Sequence, residues 1–169
     1  MKQVMTRHAS ESVYFHRDFH GALSCGVEYL HEHYGESAVR EYLREFALTF
    51  YAPLRQALRA HGLAVLKEHF EAIYRLEGGA VQFELAEDEL VIRVAACPAV
   101  QHMRSRGYPV ARLFHETTRT ANEALCEDTP YVAELVEYDP PTGRSVQRFR
   151  RRSAGDGHVQ EFQSVAARR

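Results

Sequence analysis

The chain has no tryptophan, three cysteines and no long apolar run. The longest stretch free of Asp, Glu, Lys and Arg is ten residues, from Val94 to Met103. A membrane span needs about 20 apolar residues, so no spanning helix is expected and no membrane partner. The N-terminus, Met-Lys-Gln-Val-Met-Thr-Arg-His, lacks the apolar block of a secretion signal. Three is an odd count for a disulfide framework, and no Cys-x-x-Cys pair exists. Reduced thiols in the cytosol fit better, so a soluble, cytoplasmic protein is expected. Neither charge sign dominates: 21 basic residues face 23 acidic ones, a net charge of -2. That balance argues against a dedicated nucleic-acid binder. No phosphate loop, dinucleotide loop or His-Glu-x-x-His motif is present.

With 169 residues, 45% of them hydrophobic, the chain suits one domain with one core. A single domain over residues 1–169 is expected, with an ordered core from about 10 to 152 and a polar tail from 153 to 169. Apolar positions at helical spacing predict a helix over 10–34, ended by Gly35. A second helical stretch covers 36–60, and Pro53 should divide it near Tyr51. A third covers 63–76, bounded by Gly62 and by Gly78-Gly79. The period then changes to two. Residues 80–85 and 90–96 read as an antiparallel hairpin with one buried face. A short helix over 99–106, a helix over 110–125 and strands at 131–138 and 145–151 complete the chain. The fold class is therefore α+β, in the order ααα-ββ-αα-ββ: N-terminal helices packed on an antiparallel sheet of about four strands. The two hairpins suggest a pseudo-symmetric sheet. The run Arg148, Arg150, Arg151, Arg152 could meet an anion or RNA, but a solvated edge strand guarded by charge explains it more cheaply.

Three groups of residues could carry chemistry. Cys97 ends a strand, and Pro98 follows at a good first position for a helix. A thiol at a helix N-terminus tends toward the thiolate. Alternation along the strand puts Arg93 on the face of Cys97, where it could hold an anionic substrate; a small buried cysteine is the plainer alternative. His115, Arg119, Asn122 and Cys126 are spaced by four, three and four, and form one polar helix stripe. Cysteine, histidine and an amide are the residue set of a thiol nucleophile with its base and orienter. A solvated helix face is the alternative. His16 and His20, four apart on the first helix, could share a metal if a third ligand came from elsewhere; hydrogen-bonded core histidines are the alternative.

The segment Arg93-Val-Ala-Ala-Cys97-Pro98-Ala99, Cys126-Glu127-Asp128 at a helix end 29 residues later, and two closing strands resemble the L-2-amino-thiazoline-4-carboxylic acid hydrolase-like family. The resemblance runs from about Ser10 to Arg150. It is similar, more distantly, to four-vinyl-reductase-type small-ligand domains and the haem-NO-binding fold. The family likeness implies a bacterial hydrolase that opens a thiazoline ring bearing a carboxylate, with Cys97 and Cys126 at the family's recurring cysteines. Members carry a further cysteine two residues before an aromatic in the last strand, where this chain has Gln147 before Phe149. Such a hydrolase would pair the substrate carboxylate with Arg93 or Arg119, beside Asn122. Cys97 or Cys126 would attack the ring carbon, or a histidine, His115 first among them, would activate water. The competing expectation is a small-ligand module without turnover, for haem or another tetrapyrrole, with His16, His20 or His115 as axial ligand. A third is a homodimeric scaffold joined through aromatic-rich helices. No cofactor is named by the residues themselves.

Overall fold

A computed structural model describes residues 17–153 and residue 155. Among the described residues, six helices and four strands follow in order: α1 Phe19–Tyr34, α2 Glu36–Phe50, α3 Ala52–His61, α4 Ala64–Glu77, β1 Val81–Leu85, β2 Glu89–Val94, α5 Pro98–Ser105, α6 Glu116–Cys126, β3 Tyr131–Asp139 and β4 Arg144–Arg151. The α+β class and the element order are as expected, with the second helical stretch divided in two. Pro53 causes that division. It sits in the first turn of α3, where its missing N–H costs nothing, and Tyr51 leaves helical geometry just before it.

All four strands pair antiparallel, in the order β1-β2-β4-β3. The hairpins β1–β2 and β3–β4 meet through their second strands. Leu90, Ile92 and Val94 pair with Phe149, Gln147 and Ser145 on the face covered by helices. The other face carries a mixed lattice of charge. Arg93 pairs with Glu84 at 3.0 Å, Arg148 with Glu89 at 2.5 Å, and Arg150 with Glu134 at 3.0 Å. The arginine run thus belongs to an interior strand, not to an edge as expected. Glutamates of β2 and β3 neutralise Arg148 and Arg150, as opposite charges on one face of a sheet do, and Asp88 pairs with Arg151.

Helix α6 is the central helix. It packs against α2, α3 and β3, while α1 packs on α2 and α5, and α4 on α3 and β1. It begins six residues later than its apolar spacing predicts. The reason lies in α1. Ser24 Oγ accepts the Ala111 N–H at 2.8 Å and donates to the Pro109 carbonyl at 3.0 Å, and Glu28 Oε2 accepts the Arg112 N–H at 2.8 Å. Ser24 and Glu28 thus pin this segment to α1, with the Pro109 carbonyl taken by Ser24, and it closes as tighter turns, Phe114 N–H to the Ala111 carbonyl at 3.0 Å and Glu116 N–H to the Leu113 carbonyl at 2.9 Å, before α6 begins. Two apolar clusters result. One gathers Leu58, Leu66, Leu90, Ile92, Cys126 and Phe149 beneath α3, α4 and α6. The other gathers Val27, Val39, Leu43, Val100, Met103 and Phe114 between α1, α2 and α5.

Candidate active site

Cys97 is the residue that precedes α5, with Pro98 at the first helical position, as expected. The backbone N–H groups of Ala99 and Val100 reach its thiol. The expected thiolate does not follow. Burial outweighs those two donors and pushes the Cys97 pKa up, with the Glu77 carboxylate adding to the rise. Arg93 does not share its face. The strand ends at Val94 and the chain bends at Ala95 and Ala96, so alternation no longer holds at Cys97. Arg93 lies on the outer face with Glu84, while Cys97 packs against the cluster of α1, α2 and α5.

Cys126 is buried at 1% exposure in the other cluster, beside Leu125, Tyr131 and Phe149. Burial pushes its pKa up to about 12, against the pull of Arg152 and Arg55. The two thiols therefore sit in separate apolar surroundings, at opposite ends of the sheet, and neither favours its nucleophilic form. The stripe on α6 is not a solvated face either. Asn122 is buried and donates from Nδ2 to Gln147 Oε1 at 2.9 Å. Gln147 Nε2 reaches Ser145 Oγ at 3.3 Å and the Tyr74 hydroxyl at 3.5 Å. His115 stands over the Tyr138 ring at 5.6 Å between centroids, and its Nε2 is 3.2 Å from Glu116 Oε1. Arg119 Nη1 binds the same carboxylate oxygen at 3.2 Å. Glu116 is fully buried, and Thr120 donates to its Oε2 at 2.6 Å. Burial would raise the Glu116 pKa, but the Thr120 hydroxyl and the Arg40 and Arg119 charges hold it below its ordinary value. His115, Arg119 and Asn122 thus have structural partners on α6 itself, β3 and β4.

A different set of residues converges on solvent. A hollow of about 340 Å³ opens between the start of α1, the end of α4 and α5. Arg17, His20, Glu77, Gln101, His102 and Ser105 line it, with Pro98 in its wall. His20 Nε2 is 3.4 Å from Glu77 Oε1, and His102 Nε2 is 2.9 Å from Asp18 Oδ1. Two mostly covered imidazoles on one small polar pocket thus each meet a carboxylate, Glu77 in its lining and Asp18 just outside it, with one guanidinium alongside. A histidine oriented by a carboxylate is a general base or acid. A close approach of backbone shapes the wall. A Cβ on Gly79 would stand 2.8 Å from Pro98 Cγ and from Tyr74 Cδ1. Of these residues only His20 is marked by sequence spacing. Glu77, His102 and Asp18 come from three elements with no shared period, so nothing along the chain links them.

The expected metal pair is half visible: His16 lies outside the described residues, and His20 pairs with Glu77. Among the described residues, no three His, Cys, Asp or Glu side chains converge as a metal site. A second hollow, about 590 Å³, lies along α1 between Ser24, Cys25, Tyr29, Pro109, Val110 and Arg112. Of the histidines expected as axial haem ligands, the described His20 and His115 do not line it. No helix among the described residues is long and apolar enough to cross a membrane. No family model matches the chain, and no curated protein matches it. The resemblance to thiazoline-carboxylate hydrolases therefore rests on its short motifs alone.

Proposed function

We propose that this protein is a small-molecule hydrolase whose chemistry lies in the histidine pocket, not at the thiols. Its substrate would be a cyclic amidine or thiazoline that carries a carboxylate, the class suggested by the family resemblance. The observation that carries the reading is the pair of imidazole–carboxylate contacts, His20–Glu77 and His102–Asp18, at one 340 Å³ hollow. That volume is at the small end of ligand sites. Arg17 on the rim would take the substrate carboxylate as a charge-assisted pair. His20 would accept a proton from water as its oxygen adds to the amidine carbon. Glu77 would stabilise the imidazolium so formed. The ring C–N or C–S bond then breaks, and His102, steadied by Asp18, would deliver a proton to the departing atom.

The raised pKa values of Cys97 and Cys126 favour this histidine route over thiolate attack. The test is ring opening of 2-aminothiazoline-4-carboxylate by the purified chain. Turnover should survive in Cys97→Ala and Cys126→Ala and be lost in His20→Gln and His102→Gln. Loss in Cys97→Ala with full activity in His20→Gln would overturn the histidine route. Tight binding with no turnover would replace the hydrolase with a small-ligand module.

A further inference from the structure

At the end of the sheet remote from the histidine pocket, four arginines surround the segment that follows α6. Arg44 grips Glu127 with two bonds, Nε to Oε1 at 2.7 Å and Nη2 to Oε2 at 2.6 Å. Arg55 Nη2 donates to the Glu127 carbonyl at 2.8 Å and lies 3.6 Å from Asp128 Oδ2. Arg59 Nε donates to the Asp128 carbonyl at 3.0 Å. Arg152 donates from Nε to the Thr129 carbonyl at 3.1 Å and from Nη2 to the Cys126 carbonyl at 3.3 Å. Among the described residues, two carboxylates within the segment, with Glu45 on Arg44 Nη1 at 2.7 Å, answer four guanidiniums. One of the two is bound up with Arg44, and the other, Asp128, is 85% exposed. The C-terminal end of α6 adds only about half a negative charge.

Capping of the helix end explains the carbonyl contacts, but not the excess charge or its burial. The Arg55 side chain is only 12% exposed, and its Nε is buried without an acceptor. Arg152 is half-buried with carbonyl partners alone. Guanidinium charge taken from water is costly unless an anion compensates it, and a buried donor left unpaired adds to that cost. Each guanidinium has five N–H groups, and the bonds described here use one or two of them.

We propose that Arg55, Arg59 and Arg152 form a binding site for a phosphate group. The planar forks of arginine match the paired oxygens of a phosphate, and Asp128 occupies the place of the anion until it is displaced. The source is either free phosphate or the phosphoryl group of a small phosphate ester. The proposal is independent of the histidine pocket.

The experiment is calorimetric titration of the full chain with inorganic phosphate and with phenyl phosphate, at constant ionic strength in chloride. One saturable site is expected. Asp128→Asn, which removes the competing carboxylate, should tighten binding several-fold. Arg59→Ala, at an exposed position, should keep the fold and weaken binding about tenfold. Tighter binding of the ester would identify a phosphorylated small molecule, and equal binding would identify free phosphate. No saturable binding of either probe, or affinity indifferent to both substitutions, would overturn the site.

Discussion

Replacing Gly143 by alanine should cost this fold more than any other single methyl group added at a glycine turn. Gly143 closes the β3–β4 turn with φ at 67°, and its N–H donates to the Asp139 carbonyl at 2.7 Å. A Cβ there would stand 2.4 Å from Cys97 Cβ and 2.9 Å from Val100 Cγ2. The left-handed backbone costs an alanine about 1–2 kcal/mol. Forcing the start of α5 away from the turn adds about 1–3 kcal/mol, as overpacking does. The sum, about 2–5 kcal/mol, is a large part of a stability of about 5–15 kcal/mol. For a chain of this length it lowers the melting temperature by roughly 4–20 °C. Gly78 supplies the control. It has φ 76° and ψ 27°, and nothing lies within 4 Å of its would-be Cβ, so Gly78→Ala should show the backbone cost alone. Alanine also restricts the unfolded chain, returning about 0.4–1 kcal/mol, but this cancels between the two variants. Denaturant unfolding of both measures the difference. Equal losses would refute the close approach of the turn to Cys97 and Val100.

Further outcomes follow from the buried polar groups. Asn122→Ala should lose about 1–3 kcal/mol, because Gln147 Oε1 is left buried without its donor. Joined to Gln147→Leu, it should lose less than the sum of the two single losses, as a double-mutant cycle by urea unfolding would show. His69 has its pKa lowered by burial, and its Nε2 is buried without a partner. The unfolded chain thus takes up a proton more readily than the folded one. Stability should fall as pH drops below about 6.5, toward the depressed folded value. In His69→Leu that part of the slope should vanish; an unchanged slope in a pH series of unfolding curves would count against the assignment. With a thiol reagent, exposed Cys25 should react at once, partly covered Cys97 slowly, and buried Cys126 only in denaturant. Rapid labelling of Cys126 in the native protein would contradict its burial.

The sequence is legible where one physical signal dominates. The helical stretch over 36–60 is there, with Val39, Leu43 and Ala47 on the buried side of α2, and Pro53 marks the break before α3. Alternation finds both hairpins within a residue or two at most of their ends. The signals fail where a distant partner decides. The segment from Val110 is held by Ser24 and Glu28, more than 80 residues earlier, and closes as tight turns before α6 begins. The polar side of α6 looks solvated, yet Asn122 and Glu116 point into contacts supplied by β4 and α2. Alternation carried past Val94 puts Arg93 beside Cys97, but two bent residues separate them. Strand order is equally invisible along the chain, so the arginines of β4 read as an edge. The candidate pocket was represented by His20 alone, since Glu77 and His102 reach it from elements joined only by the fold.

The pocket claim is tested most directly by following the histidine ring resonances while a carboxylate-bearing cyclic amidine is titrated in. The signals of His20 and His102 should shift together and saturate at one equivalent, while those of His115 and His69 stay in place. Shifts confined to His115, or His20 and His102 left untouched at saturating ligand, would contradict the account.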